Sequence, residues 1–448
     1  MLNSKFLIIG AGQTGLHLAK ELSLMGENVV LIEQDAFGGS YLHSFDIPKF
    51  WLQQEAKSFG SALEIFKDYK ATFQTLLSYR KSIKNLIQEK VLATYKYFLE
   101  DYENTSNLHI IAGKASFYSK NLIEISNSGV TEFITFEHLI LAVGKNSLIT
   151  PIIFKNKSIN FLHQYSAFEF SKIPNSILIL GFNSANLEIA DLYSNFGISV
   201  SIIEERNLLD IMPMLDAETI KYLEKYMENR QIKTYFEASI LEIIETQKIT
   251  VQVQQNKKIW IRDYDAVYVQ VQETFIDKGL GLNRVGINFD ISGIHTDSRS
   301  RTNAINIWAL GDCNSNVNKS NKLAKSTDFV FNLRRKNPTI KLWDMAAMGE
   351  ANNLGNNHIN FEINTSKPIF ALGMSFAQAQ LVYNPDIEIE MIQKIDQEGF
   401  IKLWFRSSSG QIVGSILAGE MSQYRHYINA AISKNINAIE VIHYIIGD

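Results

Sequence analysis

Two stretches of the chain share one pattern of apolar and polar positions. Residues 5–34, KFLIIGAGQTGLHLAKELSLMGENVVLIEQ, give a short apolar run, a glycine turn, apolar residues at helical spacing and a second apolar run. Residues 176–205, SILILGFNSANLEIADLYSNFGISVSIIEE, repeat that order. Alternating buried strands and amphipathic helices form parallel sheets with crossover helices. The pattern therefore predicts an internal duplication of two nucleotide-binding α/β units.

The rest of the pattern predicts how these units are connected and followed. Apolar residues at helical spacing predict a long helical stretch over 53–104, and several β-like runs come after it. The second unit is also followed by β-like runs, and then by NAINIWALGDC, a strand that ends in a glycine turn. From about 343 the pattern is that of a separate α+β module, whose final helix is expected over 424–446. We expect the domains to be closely packed.

Composition narrows the classes of function. Of the 448 residues, 46% are apolar and 20% are charged, the balance of an ordinary globular chain. The formal net charge of −4 provides no basic field for nucleic acid. Cys313 is the only cysteine, which excludes an intramolecular disulfide and a multi-thiolate metal site, so no metal is predicted. The sequence has no signal-peptide pattern and no apolar run of the ~20 residues that a membrane helix needs, so we expect a cytoplasmic protein.

The first glycine turn, GAGQTG, fits a dinucleotide-binding loop. Gly10 permits the tight turn, Gly12 lets a pyrophosphate approach the backbone, and Gly15 lets the helix pack close to the strand. The helix N-terminus then faces the phosphates, and Glu33 is placed to accept hydrogen bonds from ribose hydroxyls. In the later run IWALGDC, Asp312 is either a carboxylate aimed at a polyol or an ordinary turn residue.

Taken together, these motifs resemble the pyridine nucleotide-disulfide oxidoreductases, such as dihydrolipoamide dehydrogenase, glutathione reductase and mercuric reductase. IIGAGQTG is similar to the family's FAD loop, GGSYLHSFDIPKF to its redox segment, GKASF to its adenine-contacting segment and LILAVGK to a strand end. TNAINIWALGD resembles the strand whose aspartate binds the ribityl chain, KLAKS resembles a segment that contacts the flavin ring, and GMSFAQAQ and GQIVGSILAG resemble the dimerisation domain. The resemblance covers nearly the whole chain.

The resemblance implies a fold, a cofactor and a set of contacts. The fold is α/β, with two Rossmann-like dinucleotide-binding domains of FAD and NAD type and a C-terminal α+β dimerisation domain. The implied domains are 1–150 with 275–342 for FAD, 151–274 for NAD(P), and 343–448 for dimerisation. FAD is the implied cofactor and a homodimer the implied assembly. Besides the first loop and Glu33, the implied FAD contacts are Gly39, Ser40, Ala115, Gly144, Gly311 and Asp312.

The chain departs from the family at the family's catalytic residues. Tyr41 and Asp46 stand where the two redox cysteines belong, and without a thiol pair no disulfide relay operates. The family lysine falls on Phe50, with Lys49 one place earlier as a substitute. Glu188 matches the glutamate that pairs with that lysine, and the alternative is a solvated charge on a helix face.

Two histidines are candidate acid–base groups. His43 lies between the two replaced cysteines and is either an acid–base group near the flavin or an ordinary surface histidine. His443, inside an apolar stripe of the last helix, is expected to be structural, because the family's His-Pro-Thr ending is missing.

The second loop, GFNSAN, keeps Gly181 but has asparagines at the two later glycine positions. Asn183 places a side chain where a pyrophosphate would meet the backbone, and Asn186 is expected to crowd the contact between helix and strand. Glu204 favours NAD(H) over its phosphorylated form, if a nucleotide binds. The alternative is that the second unit serves as a packing scaffold.

Three functions remain open. In the first, which we favour, the protein is an FAD-dependent oxidoreductase that passes electrons from NADH to oxygen, a quinone or another small acceptor, with Tyr41 near the flavin ring and Asp46 tuning or protonating its edge. Alternatively, FAD is structural and the cleft binds a ligand or a protein. In the third reading, the chain regulates a true reductase by forming mixed dimers through its C-terminal module.

Overall fold

A computed structural model describes residues 2–43, 46–66, 83–103, 105–148, 161–163, 166, 174–213, 215–245, 247–270, 272–297, 299–316, 361–393 and 398–447. The helices are α1 (Gln13–Leu24), α2 (Gly39–His43), α3 (Asp46–Phe66), α4 (Ile83–Glu103), α5 (Ser184–Asn195), α6 (Leu208–Ile211), α7 (Ala217–Asn229), α8 (Phe376–Tyr383), α9 (Arg425–Lys434) and α10 (Ala438–Ile446).

The strands run in chain order through two units and a C-terminal module. They are β1 (Leu2–Ile9), β2 (Val29–Glu33), β3 (Leu108–Ala112), β4 (Lys114–Ser119), β5 (Leu122–Asn127), β6 (Val130–Leu141), β7 (Asn146–Leu148), β8 (Ser176–Leu180), β9 (Ser199–Ile203), β10 (Lys233–Tyr235), β11 (Ala238–Glu245), β12 (Ile249–Gln255), β13 (Lys258–Tyr264), β14 (Ala266–Val269), β15 (Gln272–Thr274), β16 (Phe289–Asp290), β17 (Gly293–Ile294), β18 (Ile307–Ala309), β19 (Phe361–Ile363), β20 (Ile369–Gly373), β21 (Glu388–Ile392), β22 (Gly399–Phe405) and β23 (Ile412–Gly419).

The first unit is built on a seven-stranded sheet. Its order is β3-β2-β1-β6-β5-β4, and β18 also pairs with β6. Strands β1, β2, β3, β6 and β18 are parallel, while β4 and β5 are antiparallel neighbours. Helix α1 buries Leu18, Ala19 and Leu22 against this sheet. The carboxyl ends of the parallel strands therefore share one edge, the place where open α/β sheets bind ligands.

The second unit repeats this plan with a smaller sheet. Its four parallel strands have the order β10-β9-β8-β14, and a three-stranded antiparallel sheet, β11-β12-β13, follows. Helix α5 connects β8 to β9 as α1 connects β1 to β2. The predicted duplication is therefore present as two strand–loop–helix–strand segments.

The C-terminal module is a five-stranded antiparallel sheet, β19-β20-β23-β22-β21, packed against α9 and α10. The predicted single helix over 424–446 is wrong. Asn435 ends α9 in the left-handed conformation with φ 55°, and Asn437 then caps α10. His443 is exposed, whereas Val441 and Ile445 of the same helix are buried, so its predicted place in an apolar stripe is also wrong.

The predicted helical stretch over 53–104 begins earlier than expected. Helix α3 starts at Asp46 and α4 ends at Glu103, and the residues between these two helices lie outside the described part. One apolar cluster joins α3 to the second unit and the C-terminal sheet, through residues such as Phe59, Leu192 and Ile369. Within the described ranges, no helix combines the length and apolar character needed to cross a membrane.

Candidate functional site

The first glycine loop is shaped by two close backbone contacts. Gly10 has φ +104°, and a Cβ added there would lie 2.4 Å from the carbonyl oxygen of Ala142. A Cβ at Gly15 would lie 1.8 Å from the carbonyl oxygen of Gly10. Gly12 is different, because a Cβ there would meet no atom within 4 Å. Two of the glycines are therefore required by the fold, while Gly12 leaves open space at the N-terminus of α1.

That open space belongs to a cavity of about 430 Å³, which lies within the ordinary size range of small-molecule sites. The cavity collects side chains and backbone from the carboxyl ends of β1, β2, β6 and β18. The predicted site residues that line it are Gly10, Gly12, Glu33, Gly39, Ser40, His43, Ala115, Gly144 and Asp312. The structure thus brings together residues that are as far apart in the chain as 10 and 312.

Glu33 is held at the cavity wall by backbone amides. Its Oε2 accepts a hydrogen bond from the Ala11 N–H at 2.6 Å, and its Oε1 accepts one from the Asp35 N–H at 3.0 Å. The carboxylate is only partly buried and lines the cavity. Each carboxylate oxygen has further lone pairs, so Glu33 remains able to accept hydroxyl donors.

Asp312 reaches the cavity from the end of β18. Gly311 precedes it with φ +75°, and a Cβ there would lie 2.7 Å from Thr14 Oγ1 of the first loop. Cys313 points the other way: it is fully buried, and its Sγ donates to the carbonyl oxygens of Leu141 and Leu310 at 3.2 Å. Burial raises the pKa of the Cys313 thiol to about 12. The thiol is therefore protonated and packed away from the cavity.

The segment that replaces the redox-cysteine motif forms α2 and the start of α3. Tyr41 lies in α2 and Asp46 begins α3, but their side chains lie outside the described part of the structure. His43 Nε2 is 2.8 Å from the Phe37 carbonyl oxygen, and its ring lies 5.2 Å from that of Tyr95. His43 is thus fixed by local contacts at the edge of the cavity.

Lys49 and Glu188 form an ion pair between α3 and α5. Glu188 is 7% exposed, and its Oε1 also accepts a hydrogen bond from the Asn364 N–H at 2.9 Å. The alternative interpretation of Glu188 as a solvated helix-face charge is therefore wrong. The pair lies away from the first cavity, beside a separate polar cavity of about 280 Å³ that both residues line.

Three lysines of the first cavity were not predicted. Lys114 and Lys145 each stand next to a predicted contact, Ala115 and Gly144, so their neighbours in sequence could have indicated them. Lys278 comes from the loop after β15, and its approach to the cavity depends on the tertiary fold.

The second loop is closed by its own side chains. Asn183 Oδ1 accepts a hydrogen bond from the Asn186 N–H at 2.9 Å and so caps α5, whereas Gly12 provides no side-chain cap for α1. Asn186 is buried, and its Nδ2 donates to the carbonyl oxygens of Leu180 and Gly181 at 3.0 and 2.9 Å. Asn186 thus bonds the strand end instead of crowding it.

Glu204, the acidic residue of the second unit, is engaged more fully than Glu33. Its Oε2 accepts from the Phe182 N–H at 2.9 Å, and its Oε1 accepts from the Arg206 N–H at 3.0 Å and from the Arg206 Nε at 3.1 Å. The side chain is 8% exposed. Burial alone would raise the pKa of Glu204, but the hydrogen bonds from Phe182 and Arg206 outweigh it and lower that pKa.

Comparison with known proteins places this geometry in context. A family model described as pyridine nucleotide-disulphide oxidoreductase matches residues 4–348. The dihydrolipoyl dehydrogenase of Buchnera aphidicola subsp. Baizongia pistaciae is 28% identical over 321 residues, which are 69% of this chain and 65% of that protein. This chain thus spans less than two thirds of that relative's length. The dihydrolipoyl dehydrogenase of Bacillus subtilis is 23% identical over 431 residues, covering 92% of this chain and 88% of that protein.

Solved structures show the same fold. The HOCl-induced flavoprotein disulfide reductase RclA from Escherichia coli has a TM-score of 0.77 at 18% identity, covering 97% of this chain and 94% of that one. Its Cu(II) complex has a TM-score of 0.78 at the same identity. The predicted fold class, α/β with two Rossmann-like domains followed by a C-terminal α+β module, is confirmed.

Proposed function

The chain belongs to the pyridine nucleotide-disulphide oxidoreductase family, and we propose that it is an FAD-dependent oxidoreductase that works without a redox disulfide. FAD is the cofactor of this family. The observation that carries the proposal is the first cavity, where an uncapped helix N-terminus, Glu33 and Asp312 line one space. These groups fit a dinucleotide, because amides suit a diphosphate and carboxylates suit hydroxyl groups.

Different residues of the cavity would bind different parts of the cofactor. The N-terminus of α1 at Gly12 would receive the diphosphate, Glu33 a ribose, and Asp312 the ribityl chain. Ala115 would contact the adenine, while Gly39, Ser40 and Gly144 let the backbone approach the ligand. When bound, FAD supplies the two-electron and one-electron chemistry that no side chain here can perform.

The chain's own thiol takes no part in this chemistry. A disulfide relay needs two thiols, one of which attacks as a thiolate. Cys313 is the only cysteine, and it is buried with a raised pKa. The electron acceptor is therefore a compound that accepts electrons from the flavin directly, such as oxygen or a quinone.

Tyr41, Asp46 and His43 are the proposed groups beside the reacting end of the cofactor. The proposal for these residues rests on their position, because α2 and the start of α3 correspond to the family's redox segment. His43 lines the cavity and is oriented by the Phe37 carbonyl oxygen. Its proposed role is to hold or move a proton at Nδ1, since Nε2 is engaged.

The assembly and location follow the family. We assign 1–150 with 275–342 to the FAD domain, 151–274 to the second dinucleotide domain and 343–448 to dimerisation; the boundary near 343 lies outside the described residues. A homodimer through the C-terminal module is proposed, in the cytoplasm and without a nucleic-acid partner.

The test begins with the colour of the purified protein. We expect about one FAD per chain, bleaching under anaerobic reduction with dithionite, and reoxidation by a panel of oxygen and quinones. Cys313→Ala is the matched control and should reoxidise at the wild-type rate. A colourless protein that stays colourless after incubation with FAD contradicts the proposal.

One observation favours a second candidate, in which FAD is bound without turnover. The second glycine loop, which would hold NADH as the electron donor implied by the family, is capped by Asn183. A yellow protein whose reduced flavin is reoxidised no faster by any acceptor than free reduced flavin would support this binding role.

A further inference from the structure

The second glycine loop differs from the first in one position that decides whether the helix N-terminus is open. Gly12 and Asn183 occupy equivalent places in GAGQTG and GFNSAN. Both residues have extended backbone, with φ −73° and −158°, so the difference lies in the side chain. Gly12 opens onto the first cavity, while the Asn183 amide folds over the first turn of α5.

The Asn183 side chain uses both ends of its amide. Its Oδ1 accepts the Asn186 N–H, one of the amide groups that an anion would need at this helix end. Its Nδ2 donates to Gln270 Oε1 at 2.6 Å. Gln270 follows β14, so the hydrogen bond bridges the loop after β8 and the end of the neighbouring strand. The bridge lies at the carboxyl edge of the sheet, where a dinucleotide would enter.

The acidic residue of the second unit is also more buried and more fully hydrogen-bonded than Glu33. Glu204 is buried, and it accepts three hydrogen bonds from Phe182 and Arg206. Phe182 itself is 1% exposed and packs edge-on against Phe236. A ribose would compete with the Arg206 guanidinium for this carboxylate. The diphosphate contact and the ribose contact are thus both occupied by protein groups.

We propose that Asn183 is a specificity-determining residue that closes the second glycine loop against NADH and NADPH. The second unit is then a dinucleotide fold that no longer holds a dinucleotide. This inference concerns the electron donor and not the FAD site, and its outcome is distinguishable from that of the proposed function, because nucleotide binding to the loop is measured without any electron transfer.

Hydrogen exchange measured by mass spectrometry on the full-length protein tests the proposal. In the wild type, NADH at about 1 mM, the upper end of ordinary Michaelis constants, should leave exchange in the loop peptide around 180–187 unchanged. In Asn183→Gly, the Asn186 amide should exchange about 1.5-fold to twofold faster, as expected when glycine replaces an asparagine helix cap. NADH should then slow that exchange, since the amide has become available to its diphosphate.

Asn207→Gly is the matched control. Asn207 Oδ1 caps α6 by accepting the Asp210 N–H at 2.9 Å, the same kind of cap in the same unit. Its loss should speed exchange at Asp210 and give no response to NADH. Asn183→Ala, which also suits the extended backbone, repeats the measurement if the glycine variant folds poorly.

Two results would overturn the proposal. The first is NADH-dependent protection of the loop in the wild type, with loss of that protection in Glu204→Gln. The second is an Asn186 amide whose exchange is the same in wild type, Asn183→Gly and Asn183→Ala, because Asn183 then does not close the helix end.

Discussion

The two dinucleotide units of this protein have the same architecture, but the helix N-terminus at the glycine loop is open in the first unit and capped in the second. In each unit the acidic residue at the end of the second strand accepts the N–H of the residue that follows the first glycine, at 2.6 Å from Ala11 and 2.9 Å from Phe182. The loops differ at the next two glycine positions. Glycine leaves the first helix end open to a cavity, and asparagine caps the second helix and bonds it to the strand. One fold can therefore present an open or a capped helix N-terminus through side chains alone.

The second unit uses its helix for contacts within the protein instead. On α5, Glu188 accepts the Asn364 N–H, and Asp191 accepts the Ser366 N–H at 2.9 Å. Glu188 also pairs with Lys49 of α3. These buried carboxylates join the second unit to the first and to the C-terminal module. His17 occupies the position of Glu188 in α1, so this carboxylate belongs to the second unit alone.

The largest effect on stability is expected from Glu188→Ala, which removes contacts of the second unit with α3 and with the C-terminal module. The change removes the buried carboxylate that pairs with Lys49, whose side chain is 17% exposed, and that accepts the Asn364 N–H. Breaking a buried ion pair from one side costs about 3–5 kcal/mol in the free energy of unfolding. Urea denaturation should detect this loss. The control is Glu224→Ala, at an exposed position of α7, which should change the free energy of unfolding by less than about 0.5 kcal/mol. Equal losses in the two variants would show that the Glu188 ion pair adds no stability beyond that of an exposed carboxylate.

Gly12→Asn converts the first loop toward the second. An added Cβ meets no atom within 4 Å, so the fold should persist, while the asparagine amide is expected to cap α1 and compete with the diphosphate. Loss of one hydrogen bond to a charged group, about 1.5–3 kcal/mol, corresponds to roughly tenfold to hundredfold weaker FAD binding. Flavin fluorescence quenching on the apoprotein measures this affinity. The control Gly12→Ala adds a side chain that cannot cap the helix, and it should weaken FAD binding less than Gly12→Asn does. Wild-type affinity in Gly12→Asn would show that the capped loop still admits FAD.

Glu204→Gln has a smaller effect that depends on pH. Burial would raise the pKa of Glu204, but hydrogen bonds from Phe182 and Arg206 lower it below its usual value of 4.5. A carboxyl whose pKa is lower in the folded state stabilises the fold above pH 4.5, and that stability is lost as pH falls through the folded pKa. The variant should lose about 1 kcal/mol at neutral pH, and its melting temperature should fall less steeply than that of the wild type below pH 4.5.

Glu205→Gln is the control for this measurement. Glu205 is the next residue along the chain and is exposed. Its variant should follow the wild-type dependence of melting temperature on pH. If Glu204→Gln follows that same curve, the hydrogen bonds from Arg206 do not stabilise the charged carboxylate.

The local pattern of apolar residues predicted some features of the fold correctly and others incorrectly. The period of apolar residues predicted both strand–loop–helix–strand segments, because such segments bury one face over a short stretch of chain. It missed the break at Asn435, where a single residue adopts left-handed backbone within an otherwise helical pattern. It also failed to place Lys278, because a loop remote from the glycine turn brings it to the cavity.

Residue type and spacing were enough to establish the duplicated dinucleotide fold, the family resemblance and the impossibility of an internal disulfide. The tertiary structure was needed to show which helix N-terminus is open. It placed Asp312 beside Gly12 in one cavity, buried Glu188 against Lys49, and set Gln270 within reach of Asn183. The physical reason is that hydrogen bonds and burial depend on distances between residues far apart in the chain, and those distances exist only once the sheets have formed.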